Sequence, residues 1–297
     1  MALTAEQLAI RKVGASDVAT ILGLNRFKTE LELYHEKRGT LEVDNLDDNP
    51  NIAAGNLLED GIADLAQWHL TRRWNREVKL RRSNRTLVRQ PWDWLTVHID
   101  RDVVGEDRGV ELKNVGARAA KDWGEQDTDE IPAYYLPQVH TYMLVLDYPV
   151  WTVAGYFGGG DMRIYEVRRS SEWDDLIVER TREFWRRVQD GEPPLLEFGH
   201  AAAERVAKRL YPGTDGSTIE PSEELDAYFV AMEEARRAAS TYDEAFKANK
   251  AALLLAMKNA AVYKSRTGLQ LTRKKVERKG YTVAATEYIE ARIGAIK

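Results

Sequence analysis

The chain has no cysteine among its 297 residues. Disulfides, thiolate metal sites, iron–sulfur clusters and cysteine nucleophiles are therefore excluded. No run of eighteen apolar residues is present, so no membrane-crossing helix is expected. The first residues, Met1-Ala2-Leu3-Thr4-Ala5-Glu6, lack the basic end and apolar stretch of a secretory signal, and a cytoplasmic location is the expectation. There is no internal repeat and no low-complexity tract. The five histidines are scattered. His98-x-Asp100 is too short to define a zinc site, and His140 reads as a packing or DNA-side residue. Gly158-Gly159-Gly160 has no following lysine and helix, so it reads as a hairpin turn and nothing points to ATP.

Positive charge is also short overall, with a net charge of −5. That leans against a protein that coats nucleic acid indiscriminately. The charge is segregated, however. Residues 71–89 hold Arg72, Arg73, Arg76, Lys79, Arg81, Arg82, Arg85 and Arg89 against one acid, Glu77. A second basic run comprises Arg273, Lys274, Lys275, Arg278 and Lys279, while acids gather at 41–48 and 125–130. Such segregation suits a groove that tracks phosphates, and it equally suits solvated helix faces.

What is present in quantity is ordinary globular material, 43% hydrophobic and 31% charged, which argues against a disordered chain. A short helix starts near Ser16, taken as its N-cap, and closes at Gly23. The acid of a capping box is missing three residues on, at Ala19, so free N–H groups at that end are available to a phosphate. Helical spacing recurs over 30–37 and 52–69. Residues 94–104 and 110–115 read as two strands of a hairpin, with the turn at 105–109. A helix over 133–146 follows, with Pro132 or Pro137 in its first turn. A second hairpin, 151–157 and 162–168, precedes an amphipathic helix over 172–189. Asp190-Gly191-Glu192-Pro193-Pro194 marks a domain edge. The expected domains are 1–195 and 196–297. In the second, Leu225, Tyr228, Met232, Ala235, Ala239, Tyr242, Phe246, Asn249, Leu253 and Ala256 form a heptad-like seam on one long helix near 222–258. The seam can pack within the chain, which is the reading taken, fold back, or meet another subunit. A small terminal hairpin at 262–271 and a last helix over 284–293 complete the chain.

Chemistry concentrates at Asp100 and Glu111-Leu112-Lys113. Alternation along a strand puts Glu111 and Lys113 on one face and Val110 and Leu112 on the other. A hairpin centred near Glu106 brings Asp100 opposite 111–113. Two adjacent carboxylates repel unless a positive group lies between them. With only oxygen ligands at hand, Mg²⁺ or Mn²⁺ is favoured over zinc. A cross-strand ion pair on an open sheet face is the plainer account of so short a pattern. Glu59, one turn after Gly55, is a further candidate carboxylate. Gln138 and Tyr142, four apart, share a helix face.

These segments stand in a known order: Gly14-Ala15-Ser16-Asp17-Val18-Ala19, Gly23-Leu24-Asn25, Gly55-Asn56-Leu57-Leu58-Glu59-Asp60, Ile99-Asp100-Arg101, Val110-Glu111-Leu112-Lys113, Ile131-Pro132 and Tyr135-Leu136-Pro137-Gln138-Val139. Over about residues 8–190 the chain resembles the YqaJ-type viral recombinase family, itself similar to lambda exonuclease and part of the PD-(D/E)XK nuclease superfamily. The resemblance implies an α/β (α+β) fold with a central mixed sheet flanked by helices, a restriction-endonuclease-like core, here followed by a mainly helical C-terminal extension. It implies a Mg²⁺-dependent exonuclease digesting one strand of linear double-stranded DNA from the 5′ end, with two ions per site. It also implies a ring-shaped homo-oligomer, a trimer favoured, working with a single-strand annealing protein. By the same resemblance Asp100, Glu111 and the Leu112 carbonyl would hold metal. Lys113 would position the attacking water, Glu59 and Gln138 would support the second metal and that water, and Ser16 would help bind the DNA end. Where the family often has Pro and Gly beside the metal Asp, this chain has Ile99 and Arg101, and Arg101 is expected to contact phosphate or alter substrate choice. Arg72, Arg73, Arg76 and Tyr142 complete the expected DNA contacts. A nuclease of the same fold with endonuclease or 3′-directed action, and a non-catalytic DNA-binding or scaffold protein, are the competing readings.

Overall fold

The computed structural model describes residues 12–44, 49–83 and 85–274. Contacts divide the chain into two units, 1–211 and 212–297. In the first, strand β1 (Val13–Gly14) leads into a 3-10 turn, Ala15–Asp17, that continues as helix α1 (Val18–Ile21). Then come α2 (Glu30–Arg38) and α3 (Pro50–Arg73). Four strands follow, β2 (Leu80–Arg82), β3 (Leu95–Thr96), β4 (Arg101–Val103) and β5 (Arg108–Asn114). Helix α4 (Leu136–Leu146), strands β6 (Val150–Tyr156) and β7 (Met162–Arg168), and helices α5 (Ser171–Asp190) and α6 (Ala203–Leu210) complete the unit.

Five strands form one mixed sheet in the order β2-β4-β5-β6-β7. Its ladders are antiparallel except β5–β6, which is parallel. A parallel pair needs a crossover, and 115–149, carrying α4, supplies it. Alternation along β5 then separates two cores. Val110 and Leu112 pack with Ile62, Ala63, Ala66 and Leu70 of α3. Ile62, Ala66 and Leu70 recur at steps of four with Ala63 beside them, the spacing that aims one stripe at the sheet. The other face buries Trp151, Val153 and Tyr165 against Val139 and Met143 of α4 and Ile177 and Phe184 of α5. The sheet is thus flanked by helices on both faces. Gly109 pairs with Trp151 across β5–β6, and a Cβ there would lie 2.1 Å from the indole.

The 94–104 segment is not the single strand expected. Leu95–Thr96 pairs in parallel with Val13–Gly14, Val97 bridges Leu87, and only Arg101–Val103 joins the main sheet. Competition between partners breaks the run: one end is claimed by the N-terminal strand and the other by β5. The helix expected over 133–146 begins at Leu136, with Pro137 in its first turn, because residues 133–135 form turns. The short N-terminal helix is also not capped by Ser16. Its capping position is Gly14, whose N–H donates to Asp17 Oδ2 at 2.8 Å, and Asp17 in turn pairs with Lys37 at 2.5 Å.

The first unit extends past Pro194 to include α6, whose Arg205 and Arg209 both reach the buried Glu32 carboxylate. The second unit, by itself, contains helix α7 (Glu223–Met257) and an antiparallel hairpin of β8 (Val262–Lys264) and β9 (Gln270–Thr272). Ser222 Oγ accepts the Leu225 N–H and caps α7. The helix expected over 284–293, and Lys275, Arg278 and Lys279, lie outside the described residues. Among the described residues no helix is long and apolar enough to cross a membrane.

Candidate active site

Asp100 stands one residue before β4, where Arg101 faces Val110 and the ladder ends. Its carboxylate replaces the missing backbone partner: Oδ2 accepts the Leu112 N–H at 2.8 Å. In a strand the N–H and C=O of one residue leave on the same edge, so the Leu112 carbonyl faces the Asp100 side as well. Burial and the neighbouring Glu111 charge push the Asp100 carboxyl up to about 7, against the opposing pull of the Leu112 N–H and Lys113.

Glu111 is 2% exposed. Its Oε1 accepts from Lys113 Nζ at 2.5 Å and from Gln138 Nε2 at 3.0 Å. Its Oε2 is buried and has no hydrogen-bond partner among the described residues, a costly arrangement unless a cation or solvent meets it. Burial alone would pull the Lys113 ammonium down. Glu111, Tyr135 and Asp100 outweigh that and leave it raised, so the side chain is a cation at neutral pH. The ammonium also lies 4.5 Å from the centre of the Tyr135 ring. Gln138, in the first turn of α4, donates to Tyr142 Oη at 2.5 Å. Tyr142 is 2% exposed, and burial with the charges of Glu111 and Asp100 raises its phenol well above the ordinary value. It backs the carboxylates from inside, so the expectation that it reaches DNA is corrected.

Arg101 also departs from expectation. Its guanidinium is buried, donating to Glu59 Oε1 at 2.7 Å, to Asp60 Oδ1 at 2.5 Å and to the Asp100 carbonyl at 2.8 Å. It is turned inward between α3 and the start of β4, and is not open to a phosphate. Arg82 lies 3.6 Å from the same Glu59 carboxylate. Glu59 is therefore brought to the site but is engaged by arginine.

The remaining expected contacts are dispersed. Ser16 is exposed on the 3-10 turn, which packs against α4. Arg72 stacks on Trp68 with 3.5 Å to the ring centre, Arg73 pairs with Asp127, and Arg76 pairs with Glu106 at the β4–β5 turn. At a rise of about 1.5 Å per residue, Arg73 stands about 21 Å along α3 from Glu59. These arginines therefore do not converge with the carboxylates. His140 is stacked on Trp173 and pushed down to about 4 by burial, as a packed neutral ring would be. Tyr135 belongs to the site and was not expected there. Two adjacent tyrosines before Pro137 were the available signal, and nothing in them says which ring lies under the lysine.

Among the described residues no group of three or more His, Asp or Glu side chains could hold a metal ion. The donor set that exists is smaller: two neighbouring carboxylates, one with an unpartnered buried oxygen and one with a raised pKa, and a backbone carbonyl on the same edge. Hard oxygen donors that repel one another suit a hard divalent cation. The residues fit such an ion, with Glu59 held back by Arg101.

Fold and site together define a mixed α/β protein with an acid–lysine centre at the point where a central sheet's ladder opens. The YqaJ-like viral recombinase domain model matches residues 7–152. The protein YqaJ of Bacillus subtilis (strain 168) is 32% identical over 233 residues, covering 75% of this chain and 69% of that protein. The chain belongs to the YqaJ-like viral recombinase family. Among solved structures, an alkaline exonuclease (LHK-Exo) from Laribacter hongkongensis aligns with a TM-score of 0.47 at 14% identity, covering 64% of this chain and 94% of that one. A putative exonuclease from Eubacterium rectale aligns with a TM-score of 0.46 at 14% identity, covering 76% and 98%.

Proposed function

We propose that the chain is a Mg²⁺-dependent deoxyribonuclease that hydrolyses phosphodiester bonds of linear double-stranded DNA, as a 5′-to-3′ exonuclease in phage-type recombination. The observation that carries the reading is the meeting of Asp100, Glu111, the Leu112 backbone and Lys113 within one open ladder end. Membership of a viral recombinase family supports it.

In this reading Asp100, Glu111 and the Leu112 carbonyl hold the ion. Mg²⁺, for which Mn²⁺ substitutes, supplies charge neutralisation at the scissile phosphate and acidifies water, with two ions per site. The chain's own groups do the rest. Lys113, kept cationic by Glu111, donates a hydrogen bond to the attacking water and keeps it in line. Gln138 donates to Glu111 and fixes the carboxylate's orientation, and Tyr142 keeps bulk water from its rear. Arg101 neutralises Glu59 and Asp60, and so tunes how much negative charge faces the ion.

The basic segment that begins with Arg72, Arg73 and Arg76 tracks phosphates away from the cut. Arg73 stands about 21 Å along α3 from Glu59, a length of about six base pairs of duplex, while Arg82 of the same segment returns to 3.6 Å from the Glu59 carboxylate. Ser16 contributes to holding the DNA end. Among the described residues no element is suited to reading base edges, so the enzyme is sequence-tolerant. A ring-shaped homo-oligomer, a trimer favoured, and a single-strand annealing protein as partner belong to the same proposal.

The test is digestion of linear duplex labelled at either end, with Mg²⁺ or with EDTA. Mononucleotides released first from the 5′ label, and only with Mg²⁺, are expected. Cleavage of closed circles would favour an endonuclease, and release first from the 3′ label the opposite polarity. Binding without cleavage would favour a DNA-binding or scaffold role.

A further inference from the structure

Within its own unit, helix α7 leaves its apolar seam uncovered. Tyr242 is 75% exposed and Phe246 63%, and Leu225 and Met232 are exposed with them. From Leu225 to Ala256 the steps alternate three and four without a break, over about 47 Å of helix. Beside the seam, alanine recurs every seventh residue, at Ala231, Ala238, Ala245 and Ala252. The opposite flank carries Phe229, Arg236, Asp243 and Lys250 at the same interval.

We propose that this face pairs with α7 of a second copy of the chain, as an antiparallel two-helix coiled coil. One register satisfies every layer. Leu225 meets the partner's Ala256, Met232 the partner's Asn249, Ala239 the partner's Tyr242, Phe246 the partner's Ala235, and Leu253 the partner's Tyr228. The two bulkiest, most exposed seam residues each face an alanine, which is the interdigitation close packing requires. The same register sets Ala238 against the partner's Ala245 on one flank, so the backbones approach closely. On the other flank it sets Arg236 against the partner's Asp243 and Phe229 against the partner's Lys250, a charge pair and a cation–π pair.

A parallel pairing does none of this. It stacks Tyr242 on Tyr242 and Ala239 on Ala239, and leaves Arg236 and Asp243 facing alanines. Along the helix Arg236 pairs with the half-buried Glu233, and Asp243 holds an exposed pair with Lys247 that is weak and readily exchanged.

The cysteine-free sequence makes the test clean. Residues 238 and 245 of one helix are about 10 Å apart, beyond the reach of a disulfide. In the full-length chain, Ala238→Cys with Ala245→Cys should give a disulfide-linked dimer on oxidation. The two single variants mixed should link to each other, and neither should link alone. Light scattering of the unmodified protein should give an even number of protomers: two, or six if the core also forms trimers. Phe246→Glu should weaken the association at least tenfold while far-UV circular dichroism keeps its helical signal. A monomeric or purely trimeric mass would overturn the proposal. So would efficient self-linking of Ala235→Cys alone, since only a parallel pair brings those positions together.

Discussion

Arg101 and Glu59, one entering the sheet and the other in the middle of α3, meet at 2.7 Å, and the arginine is 4% exposed. The same guanidinium donates to Asp60 and to the Asp100 carbonyl. A cation is thus built in beside the carboxylates that would hold a metal, and it occupies the third acid. Replacing it with glycine should free Glu59 toward the site. Arg101→Gly is expected to tighten Mg²⁺ binding about tenfold or more by titration calorimetry, since a third carboxylate joins the donors. Its folding cost should be about 1–3 kcal/mol, below that of breaking a fully buried pair, because Glu59 is partly solvated. Unchanged or weaker Mg²⁺ binding would contradict this role for Arg101.

Among the described residues Lys113 pairs with Glu111 at 2.5 Å and with no other carboxylate within salt-bridge distance. Lys113→Ala should keep DNA affinity within a few-fold and slow cleavage by about 10²-fold or more, the scale of losing one positioned catalytic group. Cleavage near the original rate in a single-turnover assay would remove the water-positioning role.

Asp100 gives a pH dependence with a definite sign. Its carboxyl is pushed from an ordinary 3.8 up to about 7 in the folded chain. Between those values the native state binds a proton that the unfolded state has released. Metal-free stability should therefore fall as pH rises through this window and level off above about 7. The same proton competes with a cation, so Mg²⁺ should raise the melting temperature more at pH 8 than at pH 6. Asp100→Asn should flatten the metal-free profile and abolish the Mg²⁺ increment. A profile of unchanged slope in that variant would show that another group is responsible.

Gly109 is a packing test independent of function. A Cβ at 2.1 Å from the Trp151 ring has nowhere to go, because the indole is fully buried between the sheet and its helices. Gly109→Ala should lower stability by about 1–3 kcal/mol or more, as overpacking does, measured by chemical denaturation. Gly116→Ala, where nothing lies within 4 Å, should be nearly neutral. Equal effects of the two would contradict the packing described.

Much of this arrangement is legible in the residues because periodicity reports burial. The 151–157 and 162–168 strands around three glycines, the amphipathic 172–189 helix and the helical placing of Ile62 and Ala66 each follow from local pattern. What is not legible depends on partners distant in sequence. The β-branched run 94–104 looks like one strand, yet Leu95 pairs with Val13 and Arg101 with Val110. An arginine beside an acidic centre looks like a phosphate contact until α3 supplies Glu59 and Asp60 to turn it inward. Tyr142 looks like a surface donor on a helix until the sheet covers it with Trp151, 4.8 Å between ring centres. Arg72 and Arg73 are near Glu59 in sequence only, since the helix carries them away from it.

The most direct test of the central claim is cleavage of linear duplex DNA under single-turnover conditions. The unmodified chain would be compared with Asp100→Asn and Glu111→Gln, each assayed with and without Mg²⁺. Mg²⁺-dependent cleavage by the unmodified chain, lost in both isosteric variants while their folding and DNA binding persist, is the predicted result. Cleavage that persists in either variant, or without a divalent ion, would contradict it.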